Sequence, residues 1–215
     1  MADGFSVTQV PVTPFAQNCA ILVDEASRDA VVIDPGGEAA KIAAAVETLG
    51  ATVREIWLTH GHLDHAGGVE ALRKRLPGAV TVIGPHAADG FLLNSIAQQA
   101  ALYGLAGLED AHPDRFLSEG ETLTLGRHRF EVLHCPGHTP GHVVFVEKTA
   151  RFAVLGDVLF AGSVGRTDFP YGDHKELIGG IMEKLLPLGD DVAFICGHGE
   201  GSTLGDERRG NPFLG

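Results

Sequence analysis

The run Thr59-His60-Gly61-His62-Leu63-Asp64-His65 constrains this chain more than any other stretch. It follows directly on 53–58, a short apolar segment of strand character, so its side chains emerge where a buried strand ends. His60 and His62 are two apart, and side chains alternate along an extended backbone, so both imidazoles fall on one side. That suits two nitrogens on one metal ion. Asp64 and His65 stand at the turn into the next helical pattern, where a change of direction aims them at a second ion.

Other ligand-type side chains follow other apolar segments. They are His138 in Cys135-Pro136-Gly137-His138-Thr139-Pro140-Gly141-His142, Asp157 in Leu155-Gly156-Asp157, and His198 in Cys196-Gly197-His198-Gly199. Each follows a glycine, which lets backbone approach closely. The set is five His and two Asp with no thiolate. Neutral nitrogens with anionic oxygens suit Zn first, with Fe or Mn as alternatives. Seven ligands exceed one ion and match two divalent ions that share a carboxylate.

The remaining pattern builds two halves. Segments 20–23 and 30–33 read as strands, 38–49 as a helix closed by Gly50, 53–58 and 80–83 as strands, and 86–104 as a helix with Phe91, Leu92, Ile96, Leu102 and Tyr103 on its apolar face. The second half is strand-rich at 122–125, 129–133, 142–146, 152–155 and 192–196. One helix lies within it, opened by an Asp173/Glu176 capping box. Two sheets face to face with helices outside would bury these apolar faces. With no repeat or linker, residues 1–215 read as one domain.

Sixteen Lys and Arg against 28 Asp and Glu give a net charge of −12, which argues against a nucleic-acid partner. Two divalent ions would make a local positive centre in that acidic field. No stretch has the ~18 apolar residues of a membrane helix, and MADGFSVTQV lacks a basic segment followed by an apolar one. A cytoplasmic chain with no membrane partner is expected. Cys19, Cys135 and Cys196 form no C-x-x-C and read as reduced, buried thiols.

Taken in order, T-H-x-H-x-D-H, G-H-T-x-G-H, G-D and G-H resemble the metallo-β-lactamase superfamily, from Asp34 in V-I-D-P-G-G to His198. The resemblance implies an α/β fold, an αββα sandwich of two mixed β-sheets with metals at one edge. It implies that His60, His62 and His138 hold one ion, that Asp64, His65 and His198 hold the other, and that Asp157 bridges them. Asp34 and His142 then stand behind the ligands, and Asp64 also orients the attacking water. Gly165-Arg166-Thr167-Asp168-Phe169-Pro170 is similar to two branches, the short glyoxalase II-like hydroxyacylglutathione hydrolases and the glutathione persulfide dioxygenases. The expected activity is hydrolysis of a small-molecule thioester such as S-lactoylglutathione, by a monomer or weak homodimer. The alternative is an iron-dependent dioxygenase using His60, His138 and Asp157 on one Fe(II). Too few residues follow His198 for the helical domain with which full-length glyoxalase II grips glutathione, so Arg166 and Phe169 are the expected substrate contacts.

Overall fold

A computed structural model describes residues 4–215. The first sheet is built in chain order from β1 (Phe5–Val12), β2 (Gln17–Asp24), β3 (Asp29–Ile33), β4 (Thr52–Trp57), β5 (Thr81–His86) and β6 (Arg115–Leu117). The first three strands are antiparallel neighbours and the last four run parallel. Parallel neighbours need crossovers. These carry α1 (Ala39–Leu49), α2 (Leu63–Ala66), α3 (Val69–Arg73), α4 (Gly90–Leu93) and α5 (Ile96–Leu102).

The second sheet holds β7 (Thr122–Leu125), β8 (His128–His134), β9 (Val143–Glu147) and β10 (Phe152–Val154). A hairpin of β11 (Leu159–Phe160) and β12 (Ser163–Val164) stands apart, followed by α6 (His174–Gly180), β13 (Ala193–Ile195), β14 (Ser202–Thr203) and α7 (Leu204–Gly210). Spatial order in this sheet is β14-β13-β10-β9-β8-β7.

Period-two alternation sorts the apolar side chains into layers. In β2, Cys19, Ile21 and Val23 face α1 and its neighbours, while Ala20 and Leu22 face the other sheet. In β9, Val143 and Phe145 point between the sheets and Val144 and Val146 toward α6. Trp57 sits between the sheets, its ring 5.4 Å from Phe130 and 5.3 Å from Phe145. Two mixed sheets with helices on both outer faces give the expected αββα sandwich.

Strand direction positions the site. β8 and β10 both pair antiparallel with β9, and β13 is parallel to β10, so β8, β10 and β13 end at the same edge. β3 and β4 are likewise parallel, which puts Asp34 and the His60 run at a shared edge.

Segment 86–104 departs from expectation. It is not one helix but a 3-10 turn (Ala87–Asp89), α4 and α5, with a break at Asn94 and Ser95. Leu92 and Ile96 are buried as expected, but Phe91, Leu102 and Tyr103 are exposed. Asp173 caps α6 as read, accepting the Glu176 N–H at 2.9 Å. All three cysteines are buried free thiols.

Candidate metal centre

Three ring nitrogens converge after β4 and β8. His60 Nε2 lies 3.1 Å and His138 Nε2 3.0 Å from His62 Nδ1. The outward nitrogens are all engaged. His138 Nδ1 donates to the Arg166 carbonyl at 2.8 Å, and a carbonyl only accepts, so Nε2 keeps a bare lone pair. The Thr59 hydroxyl donates to Asp34 Oδ2 at 2.6 Å and therefore accepts from His60 Nδ1 at 3.0 Å, which fixes His60 in the same tautomer. His62 Nε2 meets the Tyr171 hydroxyl at 2.8 Å. Burial, with the neighbouring rings, pushes His62 down to about 3 and His60 well below its ordinary value, so these rings are neutral.

A second group forms beside them. His65 Nδ1 donates to Asp34 Oδ2 at 3.0 Å and His198 Nδ1 to the Phe15 carbonyl at 3.1 Å. Their Nε2 atoms face carboxylates: His65 lies 3.3 Å from Asp157 Oδ1, and His198 3.4 Å from Asp64 Oδ2 and 3.6 Å from Asp157 Oδ2. Asp157 Oδ2 is also 3.6 Å from His138 Nε2, so this one carboxylate reaches both groups. Burial opposes charge on His65, but Asp157 and Asp34 overcome it and raise its proton affinity well above the usual value. Asp64 and Asp157 do the same for His198 against burial. Burial likewise opposes charge on Asp157, and His65 and His138 hold it far below the carboxylate range.

The donor set fits metal ions. His65 Nε2 and Asp157 Oδ1 are buried, face one another, and have no hydrogen-bond partner among the described residues. A nitrogen and a carboxylate oxygen held face to face need a positive charge between them, which a proton supplies without metal and a metal ion would supply in its place. The ligand atoms of His60, His62 and His138 lie within 4.8 Å of one another, as do those of Asp64, His65 and His198. Ligand atoms of Asp34, His60 and His65 also lie within 4.8 Å of one another. However, the Asp34 oxygens already accept the Thr59 N–H at 2.8 Å, the Thr59 hydroxyl and His65. His142 is also turned away: Nε2 accepts the Asp157 N–H at 3.0 Å, and its ring stacks on His60 at 4.6 Å. The glycines before the ligands are required by contact. A Cβ on Gly197 would lie 2.0 Å from Asp157 Oδ1, and one on Gly156 2.6 Å from Thr59 Oγ1.

Residues 12–198, from the end of β1 to the last strand-end histidine, match the metallo-beta-lactamase superfamily. The chain belongs to that superfamily. It is 47% identical over 206 residues to the hydroxyacylglutathione hydrolase GloC of Haemophilus influenzae, covering 95% of this chain and 96% of the relative. Among solved structures, the BLEG-1 B3 metallo-beta-lactamase superposes with TM-score 0.88 at 35% identity, covering 97% of this chain and 99% of that one. TTHA1623 in a di-iron-bound form superposes with TM-score 0.86 at 39% identity, covering 97% and 100%.

In this metallo-beta-lactamase domain a cleft of about 450 Å³ opens over the two groups, with His62, Asp64, His138, Asp157 and His198 among its lining. Phe169 and Tyr171 stack at 5.4 Å in its wall, with the Phe169 ring 4.9 Å from that of His62. Arg166 also lines the cleft, but both its bonds go to Asp168 at 2.9 Å and its guanidinium lies 5.0 Å over Phe169. The expected substrate cation is therefore already paired and largely exposed. Sequence reasoning missed Thr59 and Phe15, and set Tyr171 down to packing by default although it could contact substrate. A hydroxyl directly before His60 was a usable signal for Thr59. Phe15 gave none, because it acts on His198 through its backbone. Burial pushes the Cys135 thiol up to about 12 and the Cys196 thiol up to about 11, which leaves both unreactive.

Proposed function

We infer that this chain is a dinuclear metal hydrolase that cleaves glutathione thioesters such as S-lactoylglutathione. The carrying observation is that Asp157 reaches two separate ligand groups in a chain so similar to GloC. His60, His62 and His138 hold one ion, and Asp64, His65 and His198 the other. Zn is the expected metal, with Fe or Mn as alternatives, in a cytoplasmic setting. Bound divalent ions supply a nucleophilic water at neutral pH and polarise the thioester carbonyl.

The chain's own groups do the rest. Thr59 and Asp34 engage the Nδ1 atoms of His60 and His65, which leaves Nε2 as the atom each ring turns to the metal. Asp64 orients the attacking water at the cleft floor. A thiol leaving group with a pKa near ~8.5 needs no strong general acid, so the absence of a spare acid among the motifs is no obstacle. Phe169 meets the glutathione arm along the wall, and Arg166 exchanges Asp168 for a substrate carboxylate.

Metal analysis of protein purified without added metal, beside anaerobic thiol release from S-lactoylglutathione, tests this reading. Two ions per chain and steady oxygen-independent release support it. A single iron with rapid O₂ uptake on glutathione persulfide and negligible thioester cleavage would overturn it, as would hydrolysis confined to a β-lactam.

A further inference from the structure

Asp89 has no part in the chemistry described so far, yet it touches both loops that carry the first ligand group. It closes the 3-10 turn after β5 and is fully buried. Its Oδ2 accepts the Gly61 N–H at 2.8 Å and the Thr139 hydroxyl at 2.7 Å, and its Oδ1 accepts the Gly141 N–H at 2.6 Å. All three partners donate, so the carboxylate serves as an anion on both oxygens. Gly61 lies between His60 and His62, in the loop after β4. Thr139 and Gly141 follow His138, in the loop between β8 and β9.

Asp89 therefore ties a loop of one sheet to a loop of the other from a third point. The spacer glycines make its approach possible. A Cβ on Gly61 would stand 2.8 Å from Leu92 Cβ and 3.2 Å from Asp89 Cβ, and a Cβ on Gly141 would stand 2.6 Å from the Asp89 nitrogen. Leu92 and Leu93, both buried in α4, anchor the turn behind it. The second ligand group is aligned by other means, the Asp34 carboxylate and the Phe15 carbonyl.

We propose that Asp89 is a positioning residue that sets the distance between the His60–His62 pair and His138, and so governs the affinity and geometry of the first ion alone. This rests on the reading that those three histidines hold an ion.

The test is Co(II) titration of the metal-stripped full chain, followed by visible absorption and chelator competition, with His138→Ala supplying the spectrum of protein lacking the first ion. Asp89→Asn puts an amide N–H where an acceptor is needed. It should weaken the first ion at least about 10-fold and alter its bands, while the second ion is held as in wild type. Thr139→Val should give a smaller loss in the same site and Thr139→Ser should restore it. If Asp89→Asn does not fold, the Thr139 pair decides by the same readout. Wild-type affinity and bands in Asp89→Asn and Thr139→Val would overturn the proposal. So would equal weakening of both ions together with a lowered Tm, which is the mark of a general scaffold. A wild-type chain taking no more than one Co(II) would overturn the two-ion reading and this proposal with it. Two ions in wild type with unaffected variants would overturn this proposal alone.

Discussion

The carbonyl oxygen of Phe15 accepts the Nδ1 proton of His198 at 3.1 Å across 183 residues of sequence. The turn that carries Phe15 is stitched to the His198 loop beside it. The Asn18 N–H donates to the Gly197 carbonyl at 2.7 Å, and the Asn18 side-chain amide donates to the Gly199 carbonyl at 2.8 Å. The backbone of this turn seats the His198 ring, while Phe15 itself lines the cleft.

Those two roles separate by substitution. Phe15→Ala keeps the carbonyl and removes the ring. Metal content should stay at the wild-type level while KM for a glutathione thioester rises by about 1 kcal/mol in binding terms, the scale of an aromatic contact. Metal analysis beside steady-state kinetics checks both halves, and loss of metal would show that the ring itself supports the turn.

Asp157→Ala removes the carboxylate that both groups face. Metal content should fall below half of wild type and thiol release should be lost. Circular dichroism should be retained, because none of the three apolar clusters includes Asp157. Two ions and near-full turnover in the variant would remove Asp157 from the bridging position.

Arg166 and Asp168 should shift KM in opposite directions. The pair is exposed, so Arg166→Ala should cost about 1 kcal/mol or less, mostly in KM. Asp168→Asn frees the guanidinium for substrate and should lower KM. An unchanged KM in both variants would make the pair a loop brace.

Metal affinity should rise with pH. Burial disfavours charge on His65 and His198, but their carboxylate neighbours raise both above the ordinary histidine value. A proton and a metal compete for the same Nε2 lone pair. Below the raised pKa the rings keep their protons, so apparent affinity falls on going from about pH 8 to about pH 6, and loading releases protons. Competition titrations at the two pH values, with proton release followed by indicator dye, measure this. A flat profile would exclude these two rings as ligands.

The convergence of His138, Asp157 and His198 was legible because each follows an apolar run and a glycine, a local pattern that strand direction then converts into proximity. Segment 86–104 was misread for a related reason. Phe91 and Tyr103 are apolar at near-helical spacing, yet Tyr103 lines the cleft and Phe91 packs on Tyr171 at its edge, so periodicity reported a functional rim as a core face. Asp89 was hidden inside that misread helix. The Arg166–Asp168 pairing is an i,i+2 contact in a loop, where no periodicity applies. β1 was missed because its side chains are mostly half-buried, and α7 because Gly205–Gly210 offers no apolar stripe.

Each ligand group draws on both sheets: His60 and His62 meet His138 across the seam, and Asp64 and His65 meet His198. Neither of these two groups is complete within one half of the chain. With ions held there, catalytic competence would be a property of how the two sheets dock. An ion at each group would act as a rivet through the sandwich, and fragments divided near residues 118–121, where the chain leaves β6 for β7, should reassociate more tightly with metal than without it. Heat or denaturant that merely loosens the seam should extinguish turnover before either sheet surrenders its backbone hydrogen bonds.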